Sequence, residues 1–241
     1  MRFFGRLLMI TVFVVLPIVV YGQADACSPT CSPGRWSTAA KDISFPENAN
    51  QEIKVYSPDG EAVLRIAKGR WWVELEGRRI LPPKSHSEAP LHSEVGWAQD
   101  GRSFFITGSD AWTTNYQTEV YRIEKHQLVV YTSLNRAVKK EIELHHKCVD
   151  RNDNISSPPN IAGLKWIDGS SRLLVVAEVP PLGICGEQMR YFDGFVVSPE
   201  TGRIQEHFSP EEMNEREGSV LGEILRNDYS RLDPSRRTIK P

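Results

Sequence analysis

Tyr56-Ser57-Pro58-Asp59-Gly60-Glu61-Ala62-Val63-Leu64, Trp97-Ala98-Gln99-Asp100-Gly101-Arg102-Ser103-Phe104-Phe105 and Trp166-Ile167-Asp168-Gly169-Ser170-Ser171-Arg172-Leu173-Leu174 lie over one another without a gap. Each begins on an aromatic ring, passes through Asp-Gly and sets an apolar pair at the same distance from the ring. In the third copy Asp-Gly falls one place earlier, yet the apolar pair keeps its register. Asp-Gly between two apolar runs is a strong hairpin signal, because glycine takes positive φ without steric cost. A second hairpin-like stretch follows each copy. These are Trp71 to Ile80 turning at Glu76-Gly77, Glu119 to Tyr131 turning at Lys125-His126, and Tyr191 to Ile204 turning at Glu200 to Gly202. Two hairpins per copy make four short antiparallel strands. The expectation is an all-β, mainly antiparallel domain over 51–208, with units at about 52–81, 94–132 and 160–206.

The first two rings are 41 residues apart, the spacing of a four-stranded propeller blade. The next interval, 69 residues, needs an insert, which 134–159 supplies. Tyr56-Ser57-Pro58-Asp59-Gly60 resembles the turn between the first two strands of blades in the TolB and WD40-like propeller families. Trp97-Ala98-Gln99-Asp100-Gly101 is similar, and Trp166-Ile167-Asp168-Gly169 matches in part. The resemblance implies propeller-like units stacked on one another. Closed propellers have about four to eight blades, so three units imply an incomplete ring. That count fits an open arc capped by other elements, a β-sandwich with propeller-like hairpins, or two chains sharing one ring. Oligomeric state stays open.

Residues 1–26 have the parts of a signal peptide: Arg2 and Arg6, an apolar run from Leu7 to Val20, and Ala24-Asp25-Ala26 before Cys27. The run is shorter than the roughly 20 residues a membrane span needs. We therefore expect cleavage and no span afterwards. A retained anchor, and a lipoprotein acylated on Cys27, are the competing readings. Residues 27–50, rich in Ser, Pro, Ala and Asn, read as an extended leader. Asn135 to Lys147 reads as a helix carrying Ala137, Val138, Ile142 and Leu144. For 209–241 the expectation is a C-terminal helix and tail. Ser209-Pro210-Glu211-Glu212 starts it as a capping serine, a proline at the first helical position and a glutamate three residues after the cap. Met213, Val220, Leu221 and Ile224 give one apolar stripe.

All four cysteines follow the expected signal-peptide cleavage point, and an even count in an oxidising compartment favours disulfides. Of three pairings we expect Cys27 with Cys31 and Cys148 with Cys185. The cysteine spacing does not suit a zinc site. The net charge of −2 offers no basic excess for nucleic acid or an anionic membrane. There is no Gly-x-Ser-x-Gly elbow, Walker loop, His-Glu-x-x-His or dinucleotide fingerprint. No cofactor is expected.

Candidate site residues fall in loops. His86 and His92, each followed by Ser and Glu, are candidate metal ligands in a Pro-rich connector. His145 and His146 with Cys148 and Asp150 form a second cluster, open to metal only if Cys148 is free. Asp150 to Asn154 starts like a calcium loop, but Ile155 stands where the turn needs glycine. Asn154 also begins a glycosylation sequon. Trp97 and Trp166 sit at the repeat position and read as core. Trp71 and Trp72 are adjacent, so a strand points them to opposite sides. Asp110, Trp112, Asn115 and Tyr116 lie in a polar loop where the rings can stack on a sugar or anchor a peptide. The reading that follows is an exported, periplasmic or extracellular, non-catalytic module binding a protein or glycan partner. Its rival is a hydrolase or metal-dependent enzyme with dispersed residues that include His86 and His92.

Overall fold

The computed structural model describes residues 27–28, 31–44, 51–86, 88–90, 92–109, 115–146, 148, 158–181 and 185–232. The expected signal peptide, the Asp150–Asn154 loop and the end of the tail lie outside them.

Three antiparallel sheets are built, one per repeat. The leader supplies β1 (Cys27–Ser28) and β2 (Lys41–Asp42). The first sheet is the meander β3 (Ile53–Tyr56), β4 (Ala62–Ala67), β5 (Arg70–Leu75) and β6 (Arg78–Ile80). The middle sheet is β7 (His92–Trp97), β8 (Ser103–Ser109), β9 (Gln117–Glu124) and β10 (Gln127–Tyr131). The third is β11 (Asn160–Ile167), β12 (Arg172–Glu178), β13 (Phe192–Val197) and β14 (Ile204–Phe208). Every Asp-Gly pair joins the first two strands of its sheet, with Gly60, Gly101 and Gly169 at φ +74°, +63° and +75°. The second hairpins turn where the sequence placed them, through Glu76-Gly77, Lys125-His126 and Glu200 to Gly202.

The sheets stack face to face. Ile53, Val55, Leu64, Trp71 and Val73 of the first sheet share one core with Val95, Phe104, Ile106 and Tyr121 of the middle one. The opposite face of the middle sheet, through Phe105 and Val120, packs on Ile161, Val175 and Phe195 of the third. Strand alternation explains this directly, since neighbours such as Phe104 and Phe105 point to opposite faces. Helix α1 (Ser133–His145) wedges into the second core through Leu134, Val138 and Ile142, at i, i+4 and i+8. Leu144, expected on that stripe, is 62% exposed.

The leader is part of the fold. β1 pairs with β3, and β2 pairs with β7, so two of the three first-strand edges are extended. At the third, Ser37 Oγ donates to the carbonyl of Leu164 on β11 at 2.5 Å. Covering strand edges removes backbone groups that would template association. Trp36, 2% exposed, lands on the outer face of the third sheet among Leu164, Leu174, Phe192, Met213 and Leu221.

The tail departs from the expectation of one helix. Ser209 forms the full capping box on α2 (Pro210–Glu217), and α3 (Glu223–Leu232) follows as a separate helix. Between them Leu221 bridges to Ser37, and Gly222 N donates to the carbonyl of Trp36 at 2.7 Å. Gly222 lets the leader approach, since a Cβ there would fall 2.1 Å from the Arg35 carbonyl oxygen, and its N–H is spent on Trp36 instead of on the i−4 carbonyl a continuous helix would use. Both expected disulfides are formed, with Cα atoms 5.7 Å apart for Cys27–Cys31 and 5.3 Å for Cys148–Cys185. Among the described residues no helix is long and apolar enough to cross a membrane.

Candidate functional site

The chain leaves β8 at Ser109 and re-enters the sheet at Gln117, and clefts open there on both faces of the middle sheet. Thr107 and Glu94 face the third sheet, whereas Ile106, Gly108 and Glu119 face the first, as alternation requires.

The recess on the third-sheet side is narrow, with a cavity volume of about 10 Å³, and is lined by Arg35, Trp36, Asp42, His92, Glu94 and Tyr116 among others. It brings together two residues singled out in sequence, Tyr116 and His92. Tyr116 is half-buried and meets Trp36 edge to face, with ring centroids 5.2 Å apart. Its N–H donates to Asn160 Oδ1 at 2.9 Å. Burial pushes its phenol upward, Arg35 opposes this, and the charges of Glu94, Asp42 and Glu178 add to it. Asn115 accepts a hydrogen bond from Gln117 Nε2 at 2.7 Å and so ties down the start of β9. Asp110 and Trp112 lie outside the described residues.

Glu94 is the most constrained group in this cleft. Its carboxylate is 3% exposed and accepts from the Trp36 N–H at 3.0 Å. Gly34 permits this approach, since a Cβ there would lie 2.2 Å from Glu94 Oε2. Burial pushes the carboxyl up to about 8, and the backbone amides of Trp36, Ser37 and Arg35 only partly offset it. Its Oε1 is buried without a hydrogen-bond partner.

A second buried acid network adjoins Tyr116. Asn160 Nδ2 donates to Glu178 Oε2 at 2.7 Å. Burial raises the Glu178 carboxyl; Asn160 lowers it, and the neighbouring Asp228 raises it further. Asp228, wholly buried on α3, is held by Arg190 at 3.1 Å. Sequence reading missed Glu178 and Asp228, because acids at strand ends and on short helices look like solvated residues.

The cleft on the first-sheet side has a cavity volume of about 360 Å³ and is lined by Ser85, His86, Pro90, Ile106, Gly108 and Glu119 among others. His86 Nε2 lies 3.1 Å from Glu119 Oε1. His86 and His92 therefore line different clefts on opposite faces of the middle sheet. Among the described residues no group of three or more His, Cys, Asp or Glu side chains is arranged to hold a metal ion. His146 at the end of α1 and His207 on β14 both face the buried Asp193, at 3.6 Å and 3.4 Å. Cys148 of that neighbourhood is disulfide-bonded.

No protein-family model matches the chain, and no curated protein matches its sequence.

Proposed function

We propose that this chain is an exported recognition module of propeller-like build, which binds a protein or glycan partner at the strand ends around Tyr116. The observation that carries the reading is the set of side chains gathered at this narrow recess. There Arg35 of the leader, Asp42 of β2, His92 of β7 and Tyr116 of the loop before β9 converge. A rigid sheet presenting variable loop ends is a common basis for recognition. The mix of an aromatic ring, a guanidinium, an imidazole and a carboxylate suits a polar partner rather than a lipid or a nucleic acid. Two disulfides and the signal-peptide pattern of residues 1–26 support an oxidising, extracytoplasmic setting. Repeated stacked meanders support the propeller-like build.

The test is capture from the chain's own extracytoplasmic fraction, alongside a glycan array, with the native chain and a Tyr116→Ala plus His92→Ala variant. Circular dichroism verifies that both are folded. A partner or glycan retained by the native chain and lost with the variant supports the reading. The reading fails if the native chain retains nothing, or if the variant retains the same partner equally.

A further inference from the structure

We propose that the cleft between the connector at 85–90 and the middle sheet is an acyl-ester hydrolase site, with Ser85 as nucleophile, His86 as base and Glu119 as the carboxylate that positions the imidazole. The proposal rests on a different cleft from the recognition reading and does not depend on it.

Ser85 Oγ and His86 Nδ1 are 2.7 Å apart, and His86 Nε2 and Glu119 Oε1 are 3.1 Å apart. A proton on Nε2, the nitrogen facing Glu119, leaves the Nδ1 lone pair free to accept the Ser85 proton. That is the tautomer a serine-activating base requires, reached here with the two ring nitrogens in exchanged roles. Glu119 is itself fixed. The Tyr121 hydroxyl donates to its other oxygen, Oε2. Tyr121 is buried between the sheets, stacked on Phe104 at 5.1 Å and edge-on to Trp71 at 4.9 Å. The His86 ring also stands edge-on to Tyr121, with centroids 6.4 Å apart. A core aromatic thus orients the carboxylate, which orients the imidazole, which faces a hydroxyl at the cleft.

Ser85 is exposed, on a short 3-10 turn from Lys84 to His86. The His86 N–H donates to the Pro83 carbonyl at 2.8 Å, which holds the turn. At about 360 Å³ the cleft lies at the small end of the roughly 300–1,000 Å³ range of small-ligand sites. Ala89, Pro90 and Ile106 line it, so the fitting substrate is a small carboxylic ester with an apolar acyl chain.

In the reaction Ser85 Oγ forms a bond to the ester carbonyl carbon while its proton passes to His86 Nδ1. The tetrahedral intermediate breaks its bond to the alcohol oxygen, which takes that proton and leaves as the alcohol. Water then attacks the acyl-serine, giving one proton to Nδ1. The Ser85–acyl bond breaks, Ser85 regains the proton, and the carboxylic acid departs. No oxidant, reductant or metal is required.

The test uses the intact mature chain with p-nitrophenyl butyrate and, separately, a fluorophosphonate probe read by peptide mass spectrometry. The expected result is hydrolysis above that of heat-denatured protein, with the label on Ser85. Ser85→Ala abolishes the label and lowers hydrolysis by at least about a hundredfold, as does His86→Gln. Glu119→Gln keeps the Tyr121 contact, so it should leave the fold unchanged while shifting the pH–rate profile, an effect a purely structural role would not produce. An unlabelled native chain, a label on another residue, or undiminished hydrolysis by Ser85→Ala would each overturn the assignment.

Discussion

The indole Nε1 of Trp166 donates to the backbone carbonyl of Gly96 at 2.9 Å, across two sheets and 70 residues of sequence. Trp97 makes the same contact one sheet earlier, donating to Val55 at 3.3 Å. In both cases the repeat-position ring bonds the residue just before the repeat-position ring of the preceding sheet. The stack is therefore held in register by the motif that builds each unit. Trp166→Phe keeps the ring but leaves the Gly96 carbonyl without this donor. We expect a loss of about 1–3 kcal/mol in urea unfolding. Trp97→Phe, at the longer contact, should cost less.

Phe105 shows how closely the middle and third sheets approach. A Cβ on Gly96 would sit 2.4 Å from the Phe105 ring, and one on Gly163 would sit 2.8 Å from it. Both glycines are occupied by the ring rather than by a turn, and Phe105 is wholly buried. Gly163→Ala should cost about 1–3 kcal/mol through overpacking. Pairing it with Phe105→Leu should recover part of that loss. Additive losses, measured by thermal unfolding of the single and double variants, would show that ring and glycine do not share this space.

The three Asp-Gly hairpins were legible because turn chemistry is local: glycine φ and the alternation of apolar residues are set within nine positions. The cysteine pairs were legible because four cysteines leave few choices. What escaped the sequence is long-range. β1 and β2 have two residues each, too short for any period, and exist only because β3 and β7 offer open edges. The tail divides into two helices where the Gly222 and Ile224 N–H groups bond the leader carbonyls of Trp36 and Arg35. At the candidate site, Tyr116 and His92 were visible as residue types. Glu94 follows His92 on the same strand, but the convergence of Arg35 and Asp42 upon them follows from the leader crossing the stack, which no local pattern encodes.

Glu94 and Glu178 set a pH dependence of stability. In the folded chain Glu94 titrates near 8, above the ordinary 4.5, because burial disfavours its charged form. A raised folded value means that the folded state holds more protons than the unfolded one between those limits. Its contribution is full below about pH 4.5 and declines as pH rises through 8. Glu178 acts in the same direction. We expect the chain to be more stable at pH 5 than at pH 8.5, by on the order of a few kcal/mol. Glu94→Gln should flatten the profile and raise stability relative to the native chain at the alkaline end. Urea midpoints across pH 4.5–9 check both statements, and a native profile rising with pH would contradict them.

The Cys148–Cys185 disulfide closes a sequence separation of 37 residues that includes β11 and β12. In the chain-entropy account a loop of that length stabilises by about 4 kcal/mol. The Cys27–Cys31 bond closes only 4 residues and constrains the unfolded chain far less. Cys148→Ser plus Cys185→Ser should therefore lower the urea midpoint much more than Cys27→Ser plus Cys31→Ser.

Arg190 is the ionic partner of a carboxylate with no exposed surface, Asp228 on α3, and one oxygen of that carboxylate is buried without a partner. Removing the guanidinium leaves the acid buried beside Glu178, whose own carboxyl is already raised by burial and by Asp228. Two acids facing each other without Arg190 can be accommodated only by binding a proton or by α3 lifting from the sheet. Arg190→Ala should cost about 1–3 kcal/mol at pH 8 and less at pH 5, where the proton is available. Hydrogen exchange should rise in α3 before it rises in β12, since β12 is paired on both sides within its sheet while α3 packs on the outside of it. Equal exchange across both elements, or a loss independent of pH, would mean that the pair is not the fastening of that helix.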